Sequence, residues 1–320
     1  MSGQARYMRH GFTLLAAALL LLSTACHLNR PNADASDSDR LRVLTYNVLY
    51  VFDHGKEVEA GSAWIREQAP DIVALQELTN ISPGRLEELA AGWNHDHSAL
   101  LKNSGFSVGL TSRHEIEVLE RIQEGLHHGC LHARVEGIHI FVVHLSPFRW
   151  EVREAEAKLL LEKIEPLLDQ DRDVLVLGDF NALPAADRAL LESQPALLAK
   201  QRASDAKHAH VRNLRDDDFD YSVMERFSAA GLQDVVLPFV ANSTGLRWTF
   251  PTGIWSDDPS TPPASGSRID HILASVSISR LATTADIVRD GVVNRISDHF
   301  PVILELQRGL SGAMNVQPEF

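Results

Sequence analysis

The chain has 320 residues, of which 44% are hydrophobic, and a formal net charge of −13 at pH 7. This length is enough to bury one large core or two modest ones. So negative a chain lacks the excess of basic residues that is typical of proteins that bind duplex nucleic acid tightly and non-specifically. A local basic groove or bound divalent cations would change the electrostatic potential locally.

The N-terminal residues have the pattern of an export signal. Arg6 and Arg9 precede an apolar run from residue 12 to residue 22, which is too short to span a bilayer as a permanent helix. We therefore predict a signal peptide over residues 1–25 and an extracytoplasmic location.

Cys26 lies where a bacterial lipoprotein would be cleaved and acylated. A small residue, Ala25, precedes it, but the aliphatic residue that the pattern wants at Ser23 lies one place earlier, at Leu22. We predict a lipid on Cys26 through which the protein attaches to a membrane, as a cell-envelope lipoprotein. Secretion after cleavage nearby stays open as the alternative.

The segment after Cys26 is predicted to be a flexible tether, residues 26–40, because it is polar, small and acidic. Cleavage before Cys26 removes two arginines and no acid, which changes the net charge from −13 to −15. If Cys26 carries lipid, Cys130 has no partner and no disulfide stabilises the fold. We expect Cys130 to be a small buried hydrophobic residue.

The first half of the remaining chain alternates between strand and helix patterns. Residues 113 and 114 form a turn between two strands, and residues 136 and 137 join a hairpin. The predicted strands are residues 41–48, 71–77, 106–112, 117–122, 131–135 and 138–145, and the predicted helices are residues 57–68, 84–93 and 150–168. The last helix has one apolar face, formed by Val152, Leu159, Leu160, Ile164 and Leu167.

The second half has a weaker pattern between residues 183 and 267. Short helices are predicted at residues 187–192 and 221–230, a short strand at residues 246–250, a loop at residues 257–266, and strands at residues 267–274 and 301–306. The polar stretch 201–220, with its histidines and the run Asp216–Asp218, is interpreted as solvated. The same holds for His127 and His128. We predict one domain over residues 41–307 and a C-terminal tail over residues 308–320.

The most informative stretch is DVLVLGDFNALP, residues 173–184. An apolar run that reads as a strand buried on both faces leads through Gly178 to Asp179 and Asn181. Their side chains would share one side of the strand if it continued to Asn181. A carboxylate can accept a proton from water and a carboxamide can donate to a phosphoryl oxygen. A strand ending in an Asx turn is the simpler alternative.

Other polar residues also lie at or beside the ends of hydrophobic strands. Each alone has a structural alternative as a turn residue, a surface acid, a helix cap or, for the first histidine, a core residue. Together with Asp179 and Asn181 they are Asn47, Glu77, His144, Asp270, Asp298 and His299.

The ordered motifs TYN, QE, VVH, GDFN, RID and SDH resemble those of the endonuclease/exonuclease/phosphatase superfamily, to which pancreatic deoxyribonuclease, apurinic-site endonucleases, neutral sphingomyelinases and inositol-polyphosphate 5-phosphatases belong. The resemblance runs from about residue 41 to residue 306. It implies a deoxyribonuclease I-like four-layer α/β sandwich, in which two mixed β-sheets pack face to face and are flanked by helices.

The resemblance also implies a site for Mg²⁺ or Mn²⁺. Glu77 matches the principal metal carboxylate of the family, Asn47 a residue that supports the metal and the water near it, and Asp298 a second carboxylate near the metal.

Five residues match catalytic positions of the family. Asp179 matches the group that orients or deprotonates the attacking water, and Asn181 matches a donor to the phosphoryl oxygen. His299 matches the histidine that faces the scissile phosphate, and Asp270 holds its other ring nitrogen. His144 matches a second phosphate-binding histidine, for which the sequence offers no carboxylate partner.

We therefore expect a divalent-metal-dependent phosphoester hydrolase, exported and lipid-anchored. The acidic composition favours small or lipid phosphoesters, and loops choose the substrate in such folds. An extracellular nuclease is one alternative, and a non-catalytic surface lipoprotein that uses the fold as a binding module is another. No obligate protein partner is implied.

Overall fold

The computed structural model describes residues 39–241, 247–256, 263, 265–289 and 291–308. The predicted signal peptide, nearly all of the tether and most of the C-terminal tail lie outside these residues. Within them, no helix is both long enough and apolar enough to cross a membrane.

Two six-stranded mixed sheets form the centre of the fold, as the sequence predicts, and a two-stranded ribbon lies beside them. The strands are β1 (Arg40–Asn47), β2 (Ile72–Gln76), β3 (His97–Leu100), β4 (Gly109–Ser112), β5 (Glu117–Ile122), β6 (Cys130–Val135), β7 (Ile138–His144), β8 (Val174–Asp179), β9 (Leu214–Arg215), β10 (Asp218–Phe219), β11 (Gln233–Asp234), β12 (Asp270–Ala274), β13 (Ala282–Ile287) and β14 (Val302–Gln307).

Helical segments connect these strands. They are α1 (Leu49–Phe52), α2 (Val58–Gln68), α3 (Pro83–Gly92), α4 (Trp150–Leu168), α5 (Arg188–Glu192), α6 (Pro195–Lys207), α7 (Ser222–Ala229), α8 (Leu237–Val240), α9 (Val276–Ser279) and α10 (Val293–Ile296).

The first sheet has the order β13-β14-β1-β2-β4-β3, and the second has the order β11-β12-β8-β7-β6-β5. Strand β1 runs parallel to β2, and β7 runs parallel to β8, whereas β12 and β14 are antiparallel to their neighbours β8 and β1. The strands β4 and β5, which we predicted on either side of one turn, lie in different sheets: β4 pairs with β2 and β3, and β5 pairs with β6.

Strand β8 shows how the layers pack. Leu175 and Leu177 join the core cluster that contains residues of both sheets, so they lie between the sheets. Val174 and Val176, which point to the opposite face, join a second cluster with Leu160 and other residues of α4 and α7. Period-two alternation therefore buries both faces of the strand, which explains its continuous apolar sequence.

Helix α4 has the predicted bounds, but its inward face differs from the prediction. Val152 is 37% exposed, whereas Arg153 and Glu156 are almost completely buried. Both side chains form hydrogen bonds with the backbone of loops at the end of the sheet. These hydrogen bonds offset the cost of burying them. A hydrophobic pattern alone cannot identify buried polar residues.

Helix α6 and strands β3 and β13 were not predicted from the sequence. Helix α6 has no buried residue, so it shows no amphipathic pattern, although it covers part of the stretch that we predicted to be a solvated loop. The acid run behaves as predicted, since Asp216 and Asp217 form the exposed turn of the β9–β10 ribbon. Near the predicted strand 246–250, Phe250 forms only an isolated bridge with Ser267, and residue 246 lies outside the described residues.

Candidate active site

The predicted polar residues meet at one edge of the paired sheets. Strands β1, β2, β7 and β8 end at this edge, and the antiparallel strands β12 and β14 begin there. Within the second sheet, Asp179 is the register partner of both His144 and Asp270. Glu77 directly follows β2, and Asp298 and His299 precede β14, so residues far apart in sequence become neighbours.

The end of β8 is shaped by two left-handed backbone positions. Gly178 has φ +140°, and a Cβ there would lie 2.0 Å from the Val143 carbonyl oxygen, so only glycine fits. The strand ends at Asp179 and does not continue to Asn181, which has φ +48°. The Asn181 amide N–H donates to Asp179 Oδ1 at 2.8 Å, and its Nδ2 donates to the Leu145 carbonyl at 3.1 Å.

The side-chain amide of Asn47 links the two sheets. Its Nδ2 donates to Asp179 Oδ2 at 3.0 Å and to Glu77 Oε1 at 3.3 Å, while its Oδ1 accepts from the Leu49 N–H at 3.2 Å. In this arrangement Asn47 positions both carboxylates with its nitrogen and turns its oxygen toward the backbone.

His299 and Asp270 form a buried pair, in which the ring Nδ1 lies 2.8 Å from Asp270 Oδ2. Burial lowers the pKa of His299, but the carboxylates of Asp270, Asp298 and Asp179 outweigh it and raise this pKa well above its ordinary value. The other ring nitrogen, Nε2, lies 3.8 Å from Asp179 Oδ2 and 3.5 Å from Asn47 Nδ2.

Asp179 is completely enclosed, and burial together with the nearby Asp270 raises its pKa to about 7. The hydrogen bonds from Asn181 and Asn47 and the charge of His299 oppose this rise. A carboxylate with a pKa near neutrality is suited to accept a proton at physiological pH.

Glu77 and Asp298 are two carboxyls that interact electrostatically and could bind a hard cation. Burial raises the pKa of both carboxyls, and the charge of Asp298 raises that of Glu77 further. Asp298 Oδ1 is buried and has no hydrogen-bond partner among the described residues. Two neighbouring carboxylates with an unsatisfied oxygen are the donor set that Mg²⁺ or Mn²⁺ takes.

A second group could also contact a cation. One ligand atom from each of Asp179, Asp270 and His299 lies within 4.8 Å of the others. In this group Asp270 Oδ2 and His299 Nδ1 bond each other, whereas Asp270 Oδ1, like Asp298 Oδ1, is buried without a hydrogen-bond partner among the described residues.

His144 lies beside Asp179, with its Nε2 3.5 Å from Asp179 Oδ2. Its buried Nδ1 has no partner among the residues that the structure describes, in keeping with the absence of an assignable carboxylate. The ring stacks on His128 at a centroid distance of 4.1 Å. Our interpretation of His128 as part of a solvated loop is therefore wrong: it is 7% exposed and packs against His144.

The segment after Asn47 has an unusual backbone. Six consecutive non-glycine residues, from Leu49 to His54, have φ values between +41° and +64°. Such conformations cost roughly 1–2 kcal/mol per residue for L-amino acids. In this left-handed turn the Tyr50 N–H donates to Glu77 Oε2 at 3.2 Å. The sequence pattern does not predict the turn.

A cavity of about 610 Å³ opens beside Asn181. Phe250, Leu214 and Phe219 line it, together with Arg153 and other residues. Phe250 also lies against His299, at a ring-centroid distance of 5.0 Å, so the cavity is next to the His299–Asp270 pair.

A family model described as "Endonuclease/Exonuclease/phosphatase family" matches residues 44–299, which include every residue of the predicted site. The chain belongs to this family. Endonucleases, exonucleases and phosphatases all hydrolyse phosphoester bonds, so the chemistry that unites the family is phosphoester hydrolysis.

Solved structures confirm the fold. An AP endonuclease from Archaeoglobus fulgidus is 18% identical, with a TM-score of 0.57 over 82% of this chain and 98% of that chain. A 3′-5′ exonuclease from Neisseria meningitidis is 18% identical, with a TM-score of 0.60 over 83% and 100%. A functionally unknown protein from Enterococcus faecalis V583 is 17% identical, with a TM-score of 0.53 over 82% and 98%. No curated protein matches the sequence.

Proposed function

We propose that this protein is a divalent-metal-dependent phosphoester hydrolase. The observation that carries the proposal is the position of Asp179: Asn47, His144 and the His299–Asp270 pair surround its buried carboxyl at one sheet edge. Burial together with the nearby Asp270 raises its pKa to about 7. A drifted, non-catalytic binding module would not be expected to keep a tuned carboxylate together with all of these partners.

Asp179 is proposed to accept the proton of the attacking water. Asn47 and the Asn181 backbone hold its two oxygens, which fixes the direction of the carboxylate. The Asn181 side chain uses one N–H on the Leu145 carbonyl, which leaves a second N–H for a phosphoryl oxygen.

His299 is proposed to donate a hydrogen bond to the phosphoryl group. Asp270 fixes the ring through Nδ1 and stabilises the imidazolium, so Nε2 carries a proton toward the reacting centre. His144 offers a second ring nitrogen on the other side of Asp179.

Glu77 and Asp298 are proposed to hold Mg²⁺ or Mn²⁺, with Asn47 positioning Glu77. When bound, such a cation supplies positive charge that neutralises the phosphoryl oxygens. Burial is the main cause of the raised pKa of both carboxyls, and the charge of Asp298 adds to the rise at Glu77.

We also propose that the protein is exported and anchored by a lipid on Cys26. This rests on the sequence of residues 1–26 alone, which lie outside the described residues.

The preferred substrate is proposed to be a small or lipid phosphoester, as the net charge of −13 favours. The second candidate is a nuclease for single strands. Two observations support it. Aromatic and imidazole rings lie around His144, and two solved structures of this fold are named as nucleases.

A substrate panel tests the proposal. The protein is assayed with Mg²⁺ or Mn²⁺ on bis-p-nitrophenyl phosphate, p-nitrophenyl phosphate, sphingomyelin, plasmid DNA and a single-stranded oligonucleotide, each beside an EDTA control. We expect metal-dependent hydrolysis of at least one, and the preferred one identifies the substrate class. A folded protein that hydrolyses none of them contradicts the proposal.

A further inference from the structure

Nine aromatic and imidazole rings form a continuous series of contacts beside the active site, with neighbouring centroids between 4.1 and 5.8 Å apart. We call this set the ring array. Its members, in order of contact, are His54, Tyr50, Phe106, His128 with His144 stacked on it, His127, Phe148, His210 and His208.

The array adjoins the reacting centre at two points. His144, stacked on His128, lies 3.5 Å from the Asp179 carboxylate. At another point, the Tyr50 backbone bonds Glu77. A phosphate held at the active site would therefore lie beside the rings, and groups attached to that phosphate would reach them.

Buried polar side chains of α4 hold the loops that carry the rings. Glu156, 0% exposed, accepts the His127 N–H at 2.6 Å and the Ser146 N–H at 2.8 Å. Arg153 donates to the Ser146 carbonyl at 3.0 Å and to Asn213 Oδ1 at 2.7 Å. Burying a carboxylate and a guanidinium costs free energy, and the hydrogen bonds to these loops offset that cost. The loops are therefore fixed to the body of the fold.

The left-handed turn holds the other end of the array. Its strained backbone places the Tyr50 ring on His54 at 4.3 Å and against Phe106 at 5.2 Å. Backbone strain of this kind persists where the surrounding structure imposes it, commonly at ligand sites.

The outer rings are accessible to a ligand. Phe148 is 38% exposed, and His54, His127 and His210 are exposed as well. Phe148 lies at the centre of this outer group, in contact with His127 on one side and His210 on the other.

The chemistry of the array suits planar polar rings better than lipid chains. Six of its nine members are imidazoles, which are poor groups for insertion into hydrocarbon but stack on heterocycles. Burial, with the charges of His127 and Lys102, lowers the pKa of His128 to about 3, so its ring is neutral.

Lys102 supplies positive charge next to the rings. It lies in the loop that carries Phe106, where its backbone N–H donates to Ser107 Oγ at 3.1 Å, and its ammonium contributes to the lowered pKa of His127, His128 and His144. Within the described part of the chain it makes no ion pair, so its charge is available to an anion such as a backbone phosphate.

We propose that the ring array is a stacking surface for the unpaired bases of a single-stranded nucleic acid, with Lys102 beside its backbone. Stacking on aromatic side chains tolerates any base sequence because every base has a π-face. A bound strand is the second candidate substrate beside small or lipid phosphoesters, and that role rests on the proposed hydrolase function, but the binding itself does not.

A binding comparison tests the array without catalysis. Fluorescence anisotropy in EDTA measures the Kd of the protein for two labelled 12-mers, oligothymidylate and a tetrahydrofuran abasic strand with the same number of phosphates. We expect wild type to bind oligothymidylate about tenfold or more tightly than the abasic strand, since the loss of one stacked base has about that effect.

Two variants of Phe148 separate a ring from apolar bulk. Phe148→Leu should lose most of the preference for oligothymidylate, and Phe148→Tyr should retain it. Phe239→Leu is the matched control, because Phe239 is 39% exposed and lies in α8, outside the array. Equal binding of both strands by wild type, or equal effects of Phe148→Leu and Phe239→Leu, overturns the proposal.

Two further outcomes are distinguishable. Binding of wild type to sphingomyelin vesicles that Phe148→Leu abolishes, without a preference for oligothymidylate, assigns the array to lipid and overturns the proposal. If oligothymidylate is preferred but no phosphoester is hydrolysed, the stacking surface stands and the proposed hydrolase function fails.

Discussion

The charge of His299 depends on its neighbours. Burial favours the neutral ring, and the Asp270 carboxylate at 2.8 Å, with Asp298 and Asp179, reverses that preference. The proposed donor to the phosphoryl group is therefore protonated only because carboxylates lie behind and beside it.

The variant Asp270→Asn should lower kcat on bis-p-nitrophenyl phosphate by about 10²- to 10⁴-fold, the usual contribution of an acid–base group. An amide removes the charge that stabilises the His299 imidazolium but keeps nearly the same shape. The measurement is steady-state kinetics, with circular dichroism to confirm folding.

Asp96→Asn serves as the control for this variant, because Asp96 is an exposed aspartate before β3. It should keep wild-type kcat. A folded Asp270→Asn variant with wild-type kcat would show that His299 does not depend on Asp270.

The buried side chain of His95 should make the free energy of unfolding sensitive to acid. Its Nε2 lies 2.9 Å from the Pro70 carbonyl and its Nδ1 lies 2.8 Å from Thr111 Oγ1, whose oxygen also accepts from Trp93 Nε1 at 3.0 Å. Nε2 donates to the Pro70 carbonyl, so in the neutral ring Nδ1 accepts from the Thr111 hydroxyl. Burial lowers the pKa of His95 from 6.5 to about 4.

Between pH 6.5 and 4 the unfolded chain binds a proton at His95 and the folded protein does not. The free energy of unfolding should therefore fall as the pH falls through this range, by up to about 3 kcal/mol from this residue. Urea unfolding at several pH values measures it.

His95→Gln should be less stable than wild type at pH 7 and should show a weaker dependence on pH. His97→Gln, a half-buried position on β3, should keep the wild-type dependence. If the His95→Gln and wild-type curves run parallel, the predicted linkage is absent.

At the level of elements, the end of β8 packs very closely against β7 at Gly178. The Cβ of any other residue at Gly178 would lie 2.0 Å from the Val143 carbonyl, and φ +140° is unfavourable for any side chain. The Gly178→Ala variant should cost about 3 kcal/mol or more in unfolding free energy, from overpacking and backbone strain together.

Gly231→Ala is the matched control. Gly231 also has a positive φ, +95°, but nothing lies within 4 Å of its Cβ position. This variant should cost only about 1–2 kcal/mol, for the backbone conformation alone. Equal losses in urea unfolding for the two variants would show that the contact with Val143 does not matter.

The elements also show what a sequence can reveal. Strands such as β1, β2, β7 and β8 could be predicted because each combines a buried apolar run with polar residues at its end. The candidate site residues were indicated by the ordered motifs at those ends, and in the structure these ends meet at one edge. The pairing of β4 could not be predicted. Its partners β2 and β3 lie earlier in the chain, and no sequence pattern in β4 specifies which strands it pairs with.

The ring array was missed for a different reason. Tyr50, Phe106 and His128 are separated by long stretches of chain and follow no period, so their contacts arise only from the folded loops. The signal that could have indicated them is the aromatic residue Phe148, which lies in the sequence between the histidine pairs at residues 127–128 and 208–210.

For the whole molecule, a bound cation should stabilise the fold, because the binding of a ligand to the native state alone shifts the unfolding equilibrium. Saturating Mg²⁺ or Mn²⁺, at about 100 times its Kd, should add about 2.7 kcal/mol and raise Tm by several degrees. Removal with EDTA should reverse the shift.

Glu77→Gln should abolish most of this rise in Tm, whereas Glu87→Gln, an exposed glutamate on α3, should keep it. Thermal unfolding followed by circular dichroism measures both. A rise in Tm that survives in Glu77→Gln would place the cation elsewhere, and the group of Asp179, Asp270 and His299 would be the next site to test.

The most direct test of the whole account compares wild type with Asp179→Asn in the hydrolysis of bis-p-nitrophenyl phosphate, with Mn²⁺ or Mg²⁺ and with EDTA. We predict hydrolysis by wild type that EDTA abolishes, and a fall in kcat of at least about 10²-fold in the variant at unchanged fold. If the folded wild type is inactive on this and every other phosphoester, or if Asp179→Asn matches it, the sheet edge is not a hydrolytic centre.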